Sequence, residues 1–190
     1  MLPSLETPRL WLPPLTLADA DQIQTVFPQW EIVKYLAAVV PWPYPADAAF
    51  TFIRDIAIPA MERGEEWDWT LRLKTDPDRL IGAISLRRRP GHNRGFWIAP
   101  EWQRQGLMLE AAAAVTDYWF DVLGEPVMRT TKSVGNTGSR RISERQGARL
   151  VAMVEGQYVC GTLPSEVWEI TADEWHAARD RERKARQAGQ

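Results

Sequence analysis

From Leu107 to about Leu123 the apolar residues fall in two adjacent rows at helical spacing. Leu107, Ala111, Val115, Trp119 and Leu123 make one row, and Met108, Ala112 and Phe120 make the other. A helix apolar over that breadth buries its face against a sheet. This demand sets the fold class: α/β, with strands that must come from the flanking sequence.

Those strands are legible. Arg9–Leu12, Trp67–Leu73, Leu80–Leu86, Arg94–Ile98, Val127–Val134, Arg149–Val154 and Glu166–Ile170 carry strand patterning. Pro13 and Pro14 stop the first strand, and Thr75-Asp-Pro-Asp78 reads as the turn between the second and third. Helices are expected from Thr16 or Asp19 to about Val26, over Glu31–Val39, over Asp47–Glu62 with Pro59 disturbing it, and over Thr137–Gln146 closed by Gly147. A last helix begins at Thr171 or Asp173, and from Arg179 the tail is charged and solvated. The 190 residues suit one domain, expected over 1–176, with a charged C-terminal helical extension or tail over 177–190.

Charge and residue counts exclude several classes. A net charge of −2 gives no support to nucleic-acid binding. One cysteine, Cys160, forbids an intrachain disulfide framework, and two distant histidines show no metal-ligand spacing. No leader-like or membrane-spanning run is present, so a cytoplasmic protein without a membrane partner is expected. No G-x-x-x-x-G-K-[ST] run is present to support a nucleotide enzyme.

The long helix starts in an unusual way. Gln103-Arg-Gln-Gly106 stands between the strand Gly95-Phe-Trp-Ile98 and the Ala-rich helix. A helix start leaves backbone N–H groups unpaired and carries partial positive charge, and a glycine allows close approach. The run reads as an anion seat or, more blandly, as a tight turn. Arg104 reads equally as a phosphate contact or a solvated cation.

Five blocks taken together resemble the GCN5-related N-acetyltransferase (GNAT) family, of the RimJ/RimL type. They are Glu6-Thr-Pro-Arg-Leu-Trp-Leu12, Pro43-Tyr-Pro45 with Asp47-Ala48, Gly95–Ile98 with Gln103–Met108, Asn136-Thr-Gly-Ser139 with Glu144–Gly147, and Asp173-Glu-Trp175. The resemblance implies a GNAT fold: a central mixed, mostly antiparallel twisted sheet of about six to seven strands, helices on both faces and a splayed acyl-CoA cleft. It implies acetyl-CoA as cosubstrate, no metal, an amine acceptor (a protein N-terminus or a small molecule), and a monomer or homodimer.

Site residues follow from the same resemblance. The amides of Gln103, Arg104, Gln105, Gly106, Leu107 and Met108 would hold the coenzyme A diphosphate. The backbone of Phe96, Trp97 and Ile98 would pair with pantetheine, with the Ile98 N–H as oxyanion donor. Asn136 would hold the pantetheine end, and Ser139 would sit at the sulfur and protonate the departing thiolate. Asn136 and Ser139 read equally as a turn residue and a helix start. Trp30, Trp42, Tyr44 and Trp67 would wall the acceptor site, or else complete the core.

The chain departs from the family pattern in places. Met108 replaces a small residue at the phosphate seat, Ser143 stands where the wider superfamily has a tyrosine acid, and Asn93 stands where many relatives have a glutamate. Tyr158 stands near a RimL-like base position. Glu62, Glu66, Asp68, Glu155, His92 or a water relay could take the acceptor's proton, or the amine could arrive neutral. The missing glutamate and the bulky Met108 motivate a second reading, a non-catalytic acyl-CoA-binding module.

Overall fold

The computed structural model describes residues 2–188. Among them are eight strands in two sheets, with every pairing antiparallel. The first sheet has the order β1 (Leu5–Glu6), β2 (Leu10–Leu12), β3 (Glu66–Leu73), β4 (Asp76–Arg87), β5 (Arg94–Ile98). The second has β6 (Val127–Ser133), β8 (Gly161–Thr171) and β7 (Arg149–Tyr158), with β8 in the middle. The single sheet expected from the sequence is thus two, because β5 and β6 touch at one end and then part.

Helix α5 (Leu107–Asp117) continues through a wide turn over Tyr118–Val122 and lies on the first sheet as its two apolar rows require. Trp69, Leu71, Ile84, Leu86, Ala111, Val115 and Trp119 are all at most 1% exposed there. Trp119 also donates its indole N–H to the Val127 carbonyl at 3.0 Å, so its burial leaves no orphan donor.

The opposite face carries α1 (Ala20–Val26), α2 (Trp30–Val33), α3 (Ala48–Phe52) and α4 (Ile58–Glu62), around Ile23, Val33, Ile53, Ala57 and Leu80. Thr16 and Asp19 cap the entry to α1 reciprocally. Between α3 and α4 the residues Ile53–Ala57 widen to a π turn. Pro59, inside the run, has no N–H to give and its ring would crowd the turn before it, which the wider turn relieves.

One expected helix changes length. The one expected over Glu31–Val39 ends at Val33. Beyond it, Lys34 and Leu36 give their carbonyls to the N–H groups of Cys160 and Val159, and Ala38 donates to Gln157. Pairing with the β7–β8 hairpin thereby overrides local helix preference. The last helix, α7 (Ala172–Ala188), takes the helical form of the two expected for the charged C-terminal segment, with Trp175 and Arg179 held by Asp117. The β3–β4 turn also sits earlier than expected, since Leu73 pairs with Asp76.

Candidate active site

The β5–β6 junction sets the geometry. Asn93 donates its N–H to the Arg129 carbonyl at 2.7 Å, and its Oδ1 accepts the Arg129 N–H at 2.7 Å. Thr131 adds a bond to the Gly91 carbonyl at 2.8 Å. No ladder joins the strands past this point among the described residues. Arg87 donates to the Asn93 carbonyl and Ala99 to that of Ile81, which fixes the parity of the β4–β5 pairing. The N–H and C=O groups of Phe96 and Ile98 therefore face away from β4 into the opening, whereas those of Trp97 point toward Ala83. Of the three residues expected to meet pantetheine, two offer their backbone.

Gln103 and Asn136 are partly committed. Gln103 donates its side-chain amide to the Ile98 carbonyl at 3.2 Å, so it braces the β5 edge and leaves the Ile98 N–H open. Asn136 caps α6 (Thr137–Arg145): its Oδ1 accepts the Ser139 N–H at 3.2 Å. The Ser139 hydroxyl has no protein partner among the described residues.

The run expected to seat an anion turns into α5 through unusual backbone. Arg104 and Gly106 both take left-handed backbone, with φ of 62° and 77°. Residues 103–106 are exposed. The amides of residues 104–109 meet no acceptor among the described residues, and the first closing bond is Glu110 N–H to the Gly106 carbonyl at 3.1 Å. This open row at a helix start fits a diphosphate. Met108 is 7% exposed and packs into the main core, so it does not narrow the seat.

Arg9, which pattern reading left unassigned, lies against the same run. Its Nη1 donates to the Gln105 carbonyl at 2.9 Å, and its Nη2 lies 3.5 Å from where a Cβ on Gly106 would stand. Glu110 holds it there, accepting from Arg9 Nε at 2.7 Å, the Arg9 N–H at 2.8 Å and the Thr7 hydroxyl at 2.5 Å. Burial raises the Glu110 pKa, but these donors outweigh it and hold the carboxyl below its usual value.

The aromatic wall divides. Trp30 and Trp42 are 42% and 41% exposed and stand 5.7 Å apart. Tyr44 packs on Phe27 at 5.0 Å and Phe27 on Trp97 at 5.2 Å, on the same side of the sheet. Burial pushes the Tyr44 hydroxyl up to about 12, so it stays protonated. Trp67 is not part of this group. It is 8% exposed in the main core, on the face that meets α5.

The base candidates also separate. Glu62 and Glu155 are exposed, and Glu66 faces Arg87 and Arg89 at 4.0 Å each. Tyr158 bonds Ser165 at 2.7 Å and is raised by burial. His92 is pushed down to about 4 by burial and by Arg87, Arg89 and Lys132, so it is neutral and a weak base near pH 7. Asp68 differs. It is 7% exposed, its Oδ2 has no partner, and burial raises it to about 7, with Arg87 opposing and Glu66 assisting. It lies in register with Ser85, which pairs Gly95 of β5, on the face opposite Trp67 and Trp69. Among the described residues no cluster of metal ligands is present, and no helix is long and apolar enough to cross a membrane.

Residues 9–149 match the family model described as the acetyltransferase (GNAT) domain. The N-acetyltransferase YoaA of Bacillus subtilis (strain 168), itself uncharacterized, is 30% identical over 152 residues, covering 77% of this chain and 83% of the relative. Among solved structures, the ribosomal L7/L12 α-N-protein acetyltransferase RimL, in complex with coenzyme A, has a TM-score of 0.77 at 13% identity, covering 90% of this chain and 99% of that one. Mycobacterium smegmatis RimJ, in complex with CoA-disulfide, has a TM-score of 0.75 at 18% identity, covering 91% and 88%. The ribosomal-protein-S5-alanine acetyltransferase of Vibrio fischeri has 0.76 at 14%, covering 91% and 98%. At these identities the three structures share the fold.

Proposed function

The chain belongs to the GNAT acetyltransferase family and has the RimJ/RimL fold, and from that premise we propose that it transfers an acetyl group directly from acetyl-CoA to a primary amine in the cytoplasm. The observation that carries this reading is the pair of open backbone surfaces: the amides of residues 104–109 and the edge of β5 at the Phe96 backbone and the Ile98 N–H. One binds a diphosphate and the other an amide-bearing tail.

Each residue then has a task. The amides of Gln105 to Met108, with Arg104 and Arg9, hold the phosphates. Phe96 and Ile98 align pantetheine along β5. The Ile98 N–H faces the carbonyl oxygen on which negative charge develops. The Ser139 hydroxyl, one turn inside α6, hands a proton to the sulfur as it leaves. Asp68 takes the acceptor's proton through water. Its carboxyl is the one base candidate poised near neutral pH.

The proposed acceptor is the α-amino group of a protein or peptide, entering past Trp30, Trp42 and Tyr44. An α-amino group, with a pKa of about 8, needs less help to lose its proton than a lysine at about 10.4. Small amines such as an antibiotic or a polyamine are the competing acceptors. Release of free thiol from acetyl-CoA across a panel of N-terminal peptides, lysine peptides and small amines tests the proposal. Gly106→Val, which forces a branched side chain to φ 77°, is expected to abolish coenzyme binding. Binding of acyl-CoA without turnover on any amine would leave the non-catalytic module as the better account.

A further inference from the structure

Lys132 is buried in β6 beside the cleft and the transfer scheme leaves it idle. It is 4% exposed, yet no carboxylate forms an ion pair with it among the described residues. Its ammonium donates to the Ser143 hydroxyl at 2.6 Å and the Thr130 hydroxyl at 2.9 Å, and lies 5.6 Å from the Trp168 ring centre. The hinge places it: Asn93 and Arg129 pin the strands together, Thr131 reaches the Gly91 carbonyl at 2.8 Å, and the ammonium leans back onto Thr130. Lys132 is therefore connected to the cleft through Ser143 of α6, not through the β5 edge. Ser143 lies four residues after Ser139, on the same face of α6.

A serine that gives up its proton becomes an alkoxide, a stronger base than the thiolate it serves. Such a hydroxyl passes a proton on and must be resupplied from behind. We propose that Lys132, acting through Ser143, is the proton source for the hydroxyl face of α6 that serves the departing CoA thiolate. The inference rests on the transferase reading above.

The step balances. The amine lone pair forms the C–N bond, and the C–S pair leaves with sulfur. Ser139 gives its proton to sulfur and regains one from Ser143 through bridging water along one helical turn, a rise of about 6 Å. Ser143 regains its own from the ammonium, and Lys132 is left neutral until solvent returns the proton.

The surroundings favour easy release. Burial pulls the ammonium down to about 7, and Arg94 of β5 assists while Glu166 of β8 opposes. Glu166 is shared with Arg140 of α6 at 3.5 Å and the Trp168 indole at 2.9 Å, and His92 in the loop before β5 is neutral.

The test uses the intact enzyme with saturating acetyl-CoA and amine, with kcat followed against pH. A lysine that must carry its proton to serve the thiolate gives the wild type a kcat that falls as pH rises through about 7, and Lys132→Met is expected to lose that limb with kcat at least about tenfold lower at pH 6. Lys132→Arg keeps the charge but releases no proton near neutrality. Its kcat is expected to fall at least about tenfold while coenzyme A binding is kept, and it decides the matter alone if Lys132→Met does not fold. A Lys132→Met enzyme with the wild-type pH profile, or a Lys132→Arg enzyme with wild-type kcat, overturns the inference and leaves the transferase intact. Failure of the wild type to bind coenzyme A removes both.

Discussion

Asn93 grips Arg129 twice, through its own N–H and through its side-chain Oδ1, each at 2.7 Å. Its side-chain amide also donates to the carbonyls of Arg87 at 3.2 Å and Arg89 at 3.0 Å. One side chain thus closes the turn before β5 and fixes where the cleft starts. The hinge gives this asparagine a structural task.

Asn93→Ala removes three of these bonds and is expected to cost about 1–3 kcal/mol in urea unfolding. It should also weaken coenzyme A binding measured by calorimetry, because the opening loses its fixed end. Asn93→Asp keeps the acceptor for Arg129 and should lose less affinity. Equal affinity in all three proteins would detach the hinge from the binding site.

Gly82 of β4 lies under the β5 edge. A Cβ there would stand 2.5 Å from the Trp97 carbonyl oxygen and 3.0 Å from the Ile98 Cα. Both neighbours are backbone, so β5 itself must move. Gly82→Ala is expected to cost about 1–3 kcal/mol by overpacking and to raise the KM for acetyl-CoA, with a smaller change in the KM for the amine. Thermal unfolding and steady-state kinetics on both substrates separate the two effects.

Arg9 and Glu110 make a similar pair at the anion seat. With Glu110 accepting three donors, the guanidinium is oriented rather than free. Arg9→Ala is expected to raise the dissociation constant for coenzyme A by about tenfold at low ionic strength, with the gap narrowing as salt screens the phosphates. Glu110→Gln should reproduce part of that loss while leaving the charge of Arg9 in place. Dephospho and full-length coenzyme A, titrated in parallel, show which phosphate the arginine serves.

What the sequence disclosed follows from how local each signal was. The two rows of α5, the strand alternation of β3 and the turn at Gly106 are local, and they appear in the structure where periodicity places them. The end of α2 at Val33 was not readable, because its cause is a hairpin more than a hundred residues away. Lys132, Arg9 and Trp67 escaped for the same reason. An isolated lysine in a strand carries no sign that Ser143 and Trp168 will enclose it, and the core position of Trp67 depends on which strand face meets α5. The parity that turns Phe96 and Ile98, but not Trp97, toward the cleft depends on register with β4.

Asp68 sets stability against activity. Its carboxyl, 7% exposed and with Oδ2 unpartnered, is raised to about 7 by burial, whereas in the unfolded chain it titrates near ~3.9. Between those values the folded state keeps a proton that the unfolded state has lost. Stability therefore falls as pH rises through that window, by up to ~4 kcal/mol, and levels off above about 7. Asp68→Asn has no charge to bury. Its advantage over the wild type in urea unfolding is expected to be small at pH 5 and to grow to a few kcal/mol by about pH 8. The same substitution is expected to remove the rise of kcat/KM with pH that centres near 7 in the wild type, and to lower the rate at pH 8 by about 10²-fold or more. A variant that gains stability with pH and keeps the wild-type rate profile would show that Asp68 is strained without serving as the base, and that the amine is taken up already neutral.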